Sequence, residues 1–242
     1  MRKTVAWMVA CVILIAGLSG CTPKWSMDDY EVLDVFSAAG RFVYEKSKFG
    51  EKEGMVEYVY ERTGELVSLL CTIHFEQGTY LAGTVFDKNT LIPVSSHKSN
   101  TYTGQEEKNW EIQAQFRDRI TLQAVTADGT DAKEMERPER LIDNESMVIV
   151  LGALPLEDGY EKTINISMIE AGVVKPFLVT FLGREEVSVP YGTFQCIMVE
   201  VRYVGPVLGF RPRMHLWYSD DENRYLIQYE NSGEMLKLAE MD

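Results

Sequence analysis

The chain has 242 residues, with 24 basic side chains against 37 acidic ones and a net charge of −13. So acidic a surface repels nucleic acid and anionic headgroups, so no nucleic-acid partner is expected. Aromatic residues make up 11% and Val and Ile recur throughout, which favours a packed sheet over a disordered chain.

Arg2 and Lys3 precede a charge-free run from Thr4 to Leu18. That run is too short to span a bilayer, which needs about 20 apolar residues. It closes on Leu18-Ser19-Gly20-Cys21, which resembles the lipobox of bacterial lipoproteins. The resemblance implies that residues 1–20 are a signal peptide cleaved between Gly20 and Cys21. The Cys21 thiol then carries diacylglycerol, and its new amino group takes a further acyl chain such as palmitate. The implied address is the extracytoplasmic side of a bacterial membrane. In a two-membrane host that is the outer membrane, and otherwise the outer face of the cell membrane. Residues 21–40 read as a lipid-anchored tether and 41–242 as one domain. Loss of Arg2 and Lys3 with the signal takes the net charge from −13 to −15. Cys11 leaves with the signal, so Cys71 and Cys196 are the cysteines left to the domain. In an oxidising compartment they are a candidate disulfide; the alternative is two buried thiols on separate strands.

From Phe42 onward, short alternating runs broken by turns indicate antiparallel strands. In 55–62, Val56, Tyr58 and Tyr60 share a face, and Gly64 turns the chain. In 66–76, Val67, Leu69, Cys71, Ile73 and Phe75 share a face, before a turn at Gln77-Gly78 and a return over 80–86. Asp87-Lys88-Asn89-Thr90 is a turn, and Pro93 points to an edge position for the strand after it. Runs 107–116 and 119–126 form the next hairpin, and 128–142 is polar and charged. Asp143 then reads as a helix N-cap with Glu145 in the first turn. Met147, Val148, Val150, Leu151 and Leu154 follow at helical spacing, ended by Gly152 or Pro155. Strands resume over 162–170, 173–189, 193–204, 213–219, 223–230 and 234–238. About ten strands and one main helix are expected.

Val189-Pro190-Tyr191-Gly192-Thr193-Phe194, Met198-Val199-Glu200-Val201 and Leu216-Trp217-Tyr218-Ser219-Asp220-Asp221 resemble an uncharacterised family of exported bacterial proteins. The stretch from Phe86 to Pro93 and the Asp143–Gly159 segment fall in matching order, so the resemblance covers roughly residues 40–240. Leu226 departs from it, standing where the family often has proline. The implied fold is mainly β: a single strongly curved antiparallel sheet, an incomplete barrel, with a helix packed on it. That shape is similar to the LolA/LolB-type lipoprotein carriers, whose concave face holds acyl chains. The family has no known catalytic residues to carry over.

The sequence lacks GxSxG, HExxH, P-loop and GxGxxG motifs. Cys71 and His74 are three apart, which on a strand puts them on opposite faces. His74, His97 and His215 are isolated, and Asp220-Asp221-Glu222-Asn223 lacks the ligand spacing and glycine of a calcium loop. No cofactor, metal or catalytic set is expected, and the protein reads as non-enzymatic. A curved sheet that does not close must fill its concave face or leave a cavity. The candidate lining is Tyr58, Tyr60, Phe75, Trp110, Phe116, Phe181, Trp217 and Tyr229, with Met147 and Leu151 as a helical plug. The leading expectation is an anchored binder of a hydrophobic or amphipathic ligand, such as a lipid, a lipoprotein or a partner's apolar segment. The alternatives are an envelope scaffold with a filled core and an enzyme acting on envelope polysaccharide. Cys21→Ala should move the protein from the membrane pellet to the soluble fraction with its far-UV circular dichroism unchanged.

Overall fold

The computed structural model describes residues 31–36, 39–205 and 213–242. Tight turns make the first eight strands a continuous meander: β1 (Ala39–Lys48), β2 (Glu51–Thr63), β3 (Leu66–Phe75), β4 (Gly78–Asp87), β5 (Pro93–Tyr102), β6 (Trp110–Phe116), β7 (Arg119–Thr126) and β8 (Gly129–Glu136). The three-residue β9 (Leu141–Asp143) leads straight into helix α1 (Asn144–Val150), which runs on into a 3-10 turn over Leu151–Ala153. A second meander follows: β10 (Glu161–Met168), β11 (Val173–Val189), β12 (Gly192–Tyr203), β13 (Arg213–Ser219), β14 (Leu226–Asn231) and β15 (Glu234–Met241).

All fifteen strands belong to one sheet, in the order β8-β7-β6-β5-β4-β3-β2-β1-β15-β14-β13-β12-β11-β10-β9. Every pairing is antiparallel except the short parallel contact of β9 with β10. The expected single sheet with one helix is therefore present, with fifteen strands in place of about ten. The additions include β8, which is exposed along nearly its whole length, and β9, which is too short to show a period. Pro93 also reads differently: β5 is flanked by β4 and β6, and the proline sits at its first residue beside a register shift. There its missing N–H costs no ladder bond.

β8 and β9 stand at opposite ends of the sheet, yet only residues 137–140 separate them in sequence. Such a link reaches at most about 18 Å, so the sheet must roll until its ends meet. They meet by side-chain packing. Leu141 of β9 and Ile169 after β10 are buried with Ala114, Phe116, Ile120 and Leu122 on the inward face of β6 and β7. Among the described residues no backbone–backbone hydrogen bond crosses this seam.

Register stacks the inward side chains of the first meander in levels. One row is Tyr60, Leu69, Thr84, Ser96, Ala114 and Leu122; the next is Tyr58, Cys71, Ala82, Lys98 and Ile112. The third row, toward the far end, is Val56, Ile73, Tyr80, Asn100 and Trp110. The opposite end is closed by Val67, Phe86 and Phe116, where Phe36 packs edge-on against Tyr60 and Phe86. Residues 31–36 are thus seated rather than free, and Asp34 reaches Lys88 and Arg62 there. α1 lies within the roll, its Met147, Val148 and Val150 buried, with the Tyr218 hydroxyl donating to Val148 O at 2.9 Å.

Gly78 opens β4 where any side chain would collide, since a Cβ there would stand 1.9 Å from Thr101 O. Gly78→Ala should lower the unfolding free energy by at least about 1–3 kcal/mol, read from urea midpoints at constant m-value.

Candidate functional site

The inward face of the roll carries a polar cluster at the seam. Lys98 projects from β5 and is fully buried, an unusual place for an ammonium. Its Nζ donates to Glu145 Oε1 of α1 at 3.1 Å and to Glu170 Oε1, in the turn after β10, at 2.6 Å. One side chain of the first meander therefore holds both the helix and the far end of the sheet. Burial pulls the Lys98 pKa down, but the charges of Glu145, Asp143 and Glu170 outweigh it and leave it raised.

Asp143 is also fully buried. It has the extended backbone of an N-cap, and its Oδ2 accepts from Glu145 N at 3.2 Å and from Thr84 Oγ1 of β4 at 3.0 Å. Thr84 in turn shares a 3.0 Å hydrogen bond with Ser96. Asp143 Oδ1 has no donor, and neither does the buried Oγ of Ser167, its register partner on β10. Burial pushes the Asp143 carboxyl up to about 6, against the lowering pull of Lys98.

Aromatic hydroxyls surround Glu145 and Glu170. Tyr80 lies 3.5 Å from Glu170 Oε1 and packs edge-on to Trp110 at 6.2 Å. Burial raises the Tyr58 phenol well above its ordinary value and pushes Tyr229 up to about 12. At the rim, Phe75 packs on Tyr102, and the buried Asn100 Oδ1 lacks a donor.

Nine of the ten residues proposed to line the concave face are on it or on the helix inside it. Tyr58, Tyr60, Phe116, Met147 and Leu151 are buried; Phe75, Trp110, Phe181 and Tyr229 are half-buried. Trp217 is the exception. Leu216 and Tyr218 take the inward positions of β13, so Trp217 faces outward, donating its indole N–H to Glu185 beside the His215 ring. The disulfide is corrected too. Cys71 on β3 and Cys196 on β12 are buried free thiols, and six steps of the strand order separate them. Burial pushes each thiol up to about 12, so neither is poised as a thiolate. Gly20 and Cys21 lie outside the described residues.

The other sequence candidates resolve into structural roles. His74 is on the outer face bonded to Thr79, and His97 and His215 stand beside Glu111 and Glu200. Asp221 Oδ1 accepts from Ser219, Asn223 and Arg224, forming the β13–β14 turn. Among the described residues no three His, Cys, Asp or Glu side chains gather as a metal site. A shallow groove of about 490 Å³ lies on the outer face over Gly83, walled by Val59, Leu70 and His97.

A rolled sheet with an internal helix and a buried ionic cluster defines a β-barrel-like protein. The chain belongs to the family of proteins of unknown function DUF3108, whose profile matches residues 26–233. The fold is similar to the crystal structure of a β-barrel-like protein of domain of unknown function DUF1849 from Brucella abortus. That likeness has a TM-score of 0.55 at 10% identity, over 85% of this chain and 97% of that one. Looser likenesses are to a candidate lipoprotein from Parabacteroides distasonis (TM-score 0.36, 13% identity, 88% and 100% of the two chains) and a candidate exported protein from Bacteroides fragilis (TM-score 0.34, 11%, 88% and 99%). Scores that low do not establish a shared fold. No curated protein matches the chain.

Lys98→Met should cost about 1–3 kcal/mol in thermal or urea unfolding, because it takes the counter-charge from the buried Asp143 and the part-buried Glu145 and Glu170. Adding Glu145→Gln should restore part of that loss, giving a non-zero coupling in a double-mutant cycle.

Proposed function

We propose that this protein is a membrane-anchored bacterial lipoprotein that binds a hydrophobic or amphipathic ligand inside the rolled sheet, α1 moving to admit it. The observation that carries the reading is the seam. A roll held shut by side chains can open without breaking a strand ladder, whereas a closed barrel cannot. Opening would offer Tyr58, Tyr60, Phe116 and Tyr229 as an apolar lining, with few polar groups to orient a ligand. Cys21 provides the anchor and places the domain on the extracytoplasmic side, within reach of lipid or of another lipoprotein. No catalytic step is assigned, and the buried thiols and the paired lysine offer no activated nucleophile.

A second reading, an envelope scaffold, is favoured by the burial of Met147, Val150, Leu151 and Leu154, which fill the interior in the closed state. The two separate in one experiment. Protein carrying Cys21→Ala, so that its own acyl chains do not contribute, is purified, extracted with organic solvent and assayed by mass spectrometry. The binding reading expects about one lipid per chain; its absence, together with no uptake of a fluorescent fatty acid, leaves the scaffold.

A further inference from the structure

We propose that the seam is a protonation-controlled clasp, closed when Asp143 carries a proton and loosened when it is ionised. The inference deepens the binding reading by naming what regulates access to the interior. Its physical basis does not require that a ligand exist.

The geometry is specific to Asp143. It stands at the last residue of β9, the final strand of the sheet, and is the N-cap of α1. Through Thr84 it also touches β4, across the seam. A change at this carboxyl therefore acts on the helix, the sheet end and the opposing wall together. Its oxygens are unequally served, Oδ2 by two donors and Oδ1 by none. A proton on Oδ1 removes the charge from a buried oxygen that no donor serves, and that is the form burial favours. An ionised Asp143 instead buries a charge whose natural counter-ion is already engaged, since Lys98 Nζ is bonded to Glu145 and Glu170.

Several titratable groups face this cluster. Lys98 comes from β5, Glu145 from α1 and Glu170 from the turn after β10; Tyr58, Cys71, Tyr80 and Tyr229 come from β2, β3, β4 and β14. Burial raises all four of the phenol and thiol groups, so they stay neutral between pH 5 and 8. Lys98 stays charged there. Asp143 at about 6 is the group with a raised carboxyl in that window. The sign follows from linkage. With its proton held more tightly when closed than when hydrated, the carboxyl favours closure at low pH, and that advantage is lost as pH rises through about 6. From the value of about 6 and the ordinary 3.8, opening becomes roughly tenfold more populated between pH 5 and 8.

The test is amide hydrogen exchange on the intact, ligand-free protein, comparing α1 with β12 after correction for intrinsic rates. Protection of α1 should fall roughly tenfold from pH 5 to pH 8 with a midpoint near 6, while β12 is unchanged. Asp143→Asn, which keeps an N-cap side chain, should give α1 protection that is flat across the same range. Flat protection in the wild type, a midpoint far from 6, or an unaltered pH dependence in Asp143→Asn would each overturn the clasp. Failure to find bound lipid would bear on the binding reading alone, because this measurement involves no ligand.

Discussion

Everything in this molecule depends on how a fifteen-stranded sheet disposes of its two ends. Hydrogen-bonded closure would make a rigid barrel. This chain instead brings β9 against the inward face of β6 and β7 and fastens it through Lys98, which bonds Glu145 and Glu170 at once. An ion pair with its lysine buried and its carboxylates part-buried adds little net stability compared with an apolar substitute. What it adds is direction: an ammonium at that level of β5 accepts one placement of the helix and one of the turn after β10.

The alternation of Val56, Tyr58 and Tyr60, and of Val67, Leu69 and Cys71, was readable because those strands bury one face and expose the other. The Asp143 cap was readable for a similar reason, its side chain satisfying the first turn of a helix that begins just after it. β8 was hidden because an edge strand exposed on both faces has no apolar period to show. Lys98 was hidden more deeply. The inward positions of β5 are Ser96, Lys98 and Asn100, so its sequence gives no apolar signal for the face that is buried. Only the partners, contributed by residues 47 and 72 positions later, explain why a lysine is there. Trp217 shows the opposite failure: a large aromatic suggested the interior, while its neighbours Leu216 and Tyr218 already held the inward positions.

The fold likeness speaks to architecture, and neither it nor the family match speaks to activity. What sets this chain apart from a plain β core is the combination of a short internal helix with three carboxylates around one lysine. Cores of this size ordinarily exclude unpaired charge, and where they admit it the polar groups are fully matched. Here the matching is incomplete at Asp143 Oδ1 and Asn100 Oδ1. The Ser167 hydroxyl beside Asp143 and the Tyr160 hydroxyl ahead of β10 are buried without a partner as well.

The strand order also governs how the chain can come to be folded. β1 and β15 are adjacent in the middle of the sheet although Phe42 pairs with Met241, almost two hundred positions away. The meanders on either side are built from neighbouring hairpins and can form early, whereas the central ladder needs both ends of the chain. A chain that emerges N-terminus first from synthesis holds two half-sheets with unpaired inner edges until β15 arrives. Its centre, the part that looks most secure, is the part completed last.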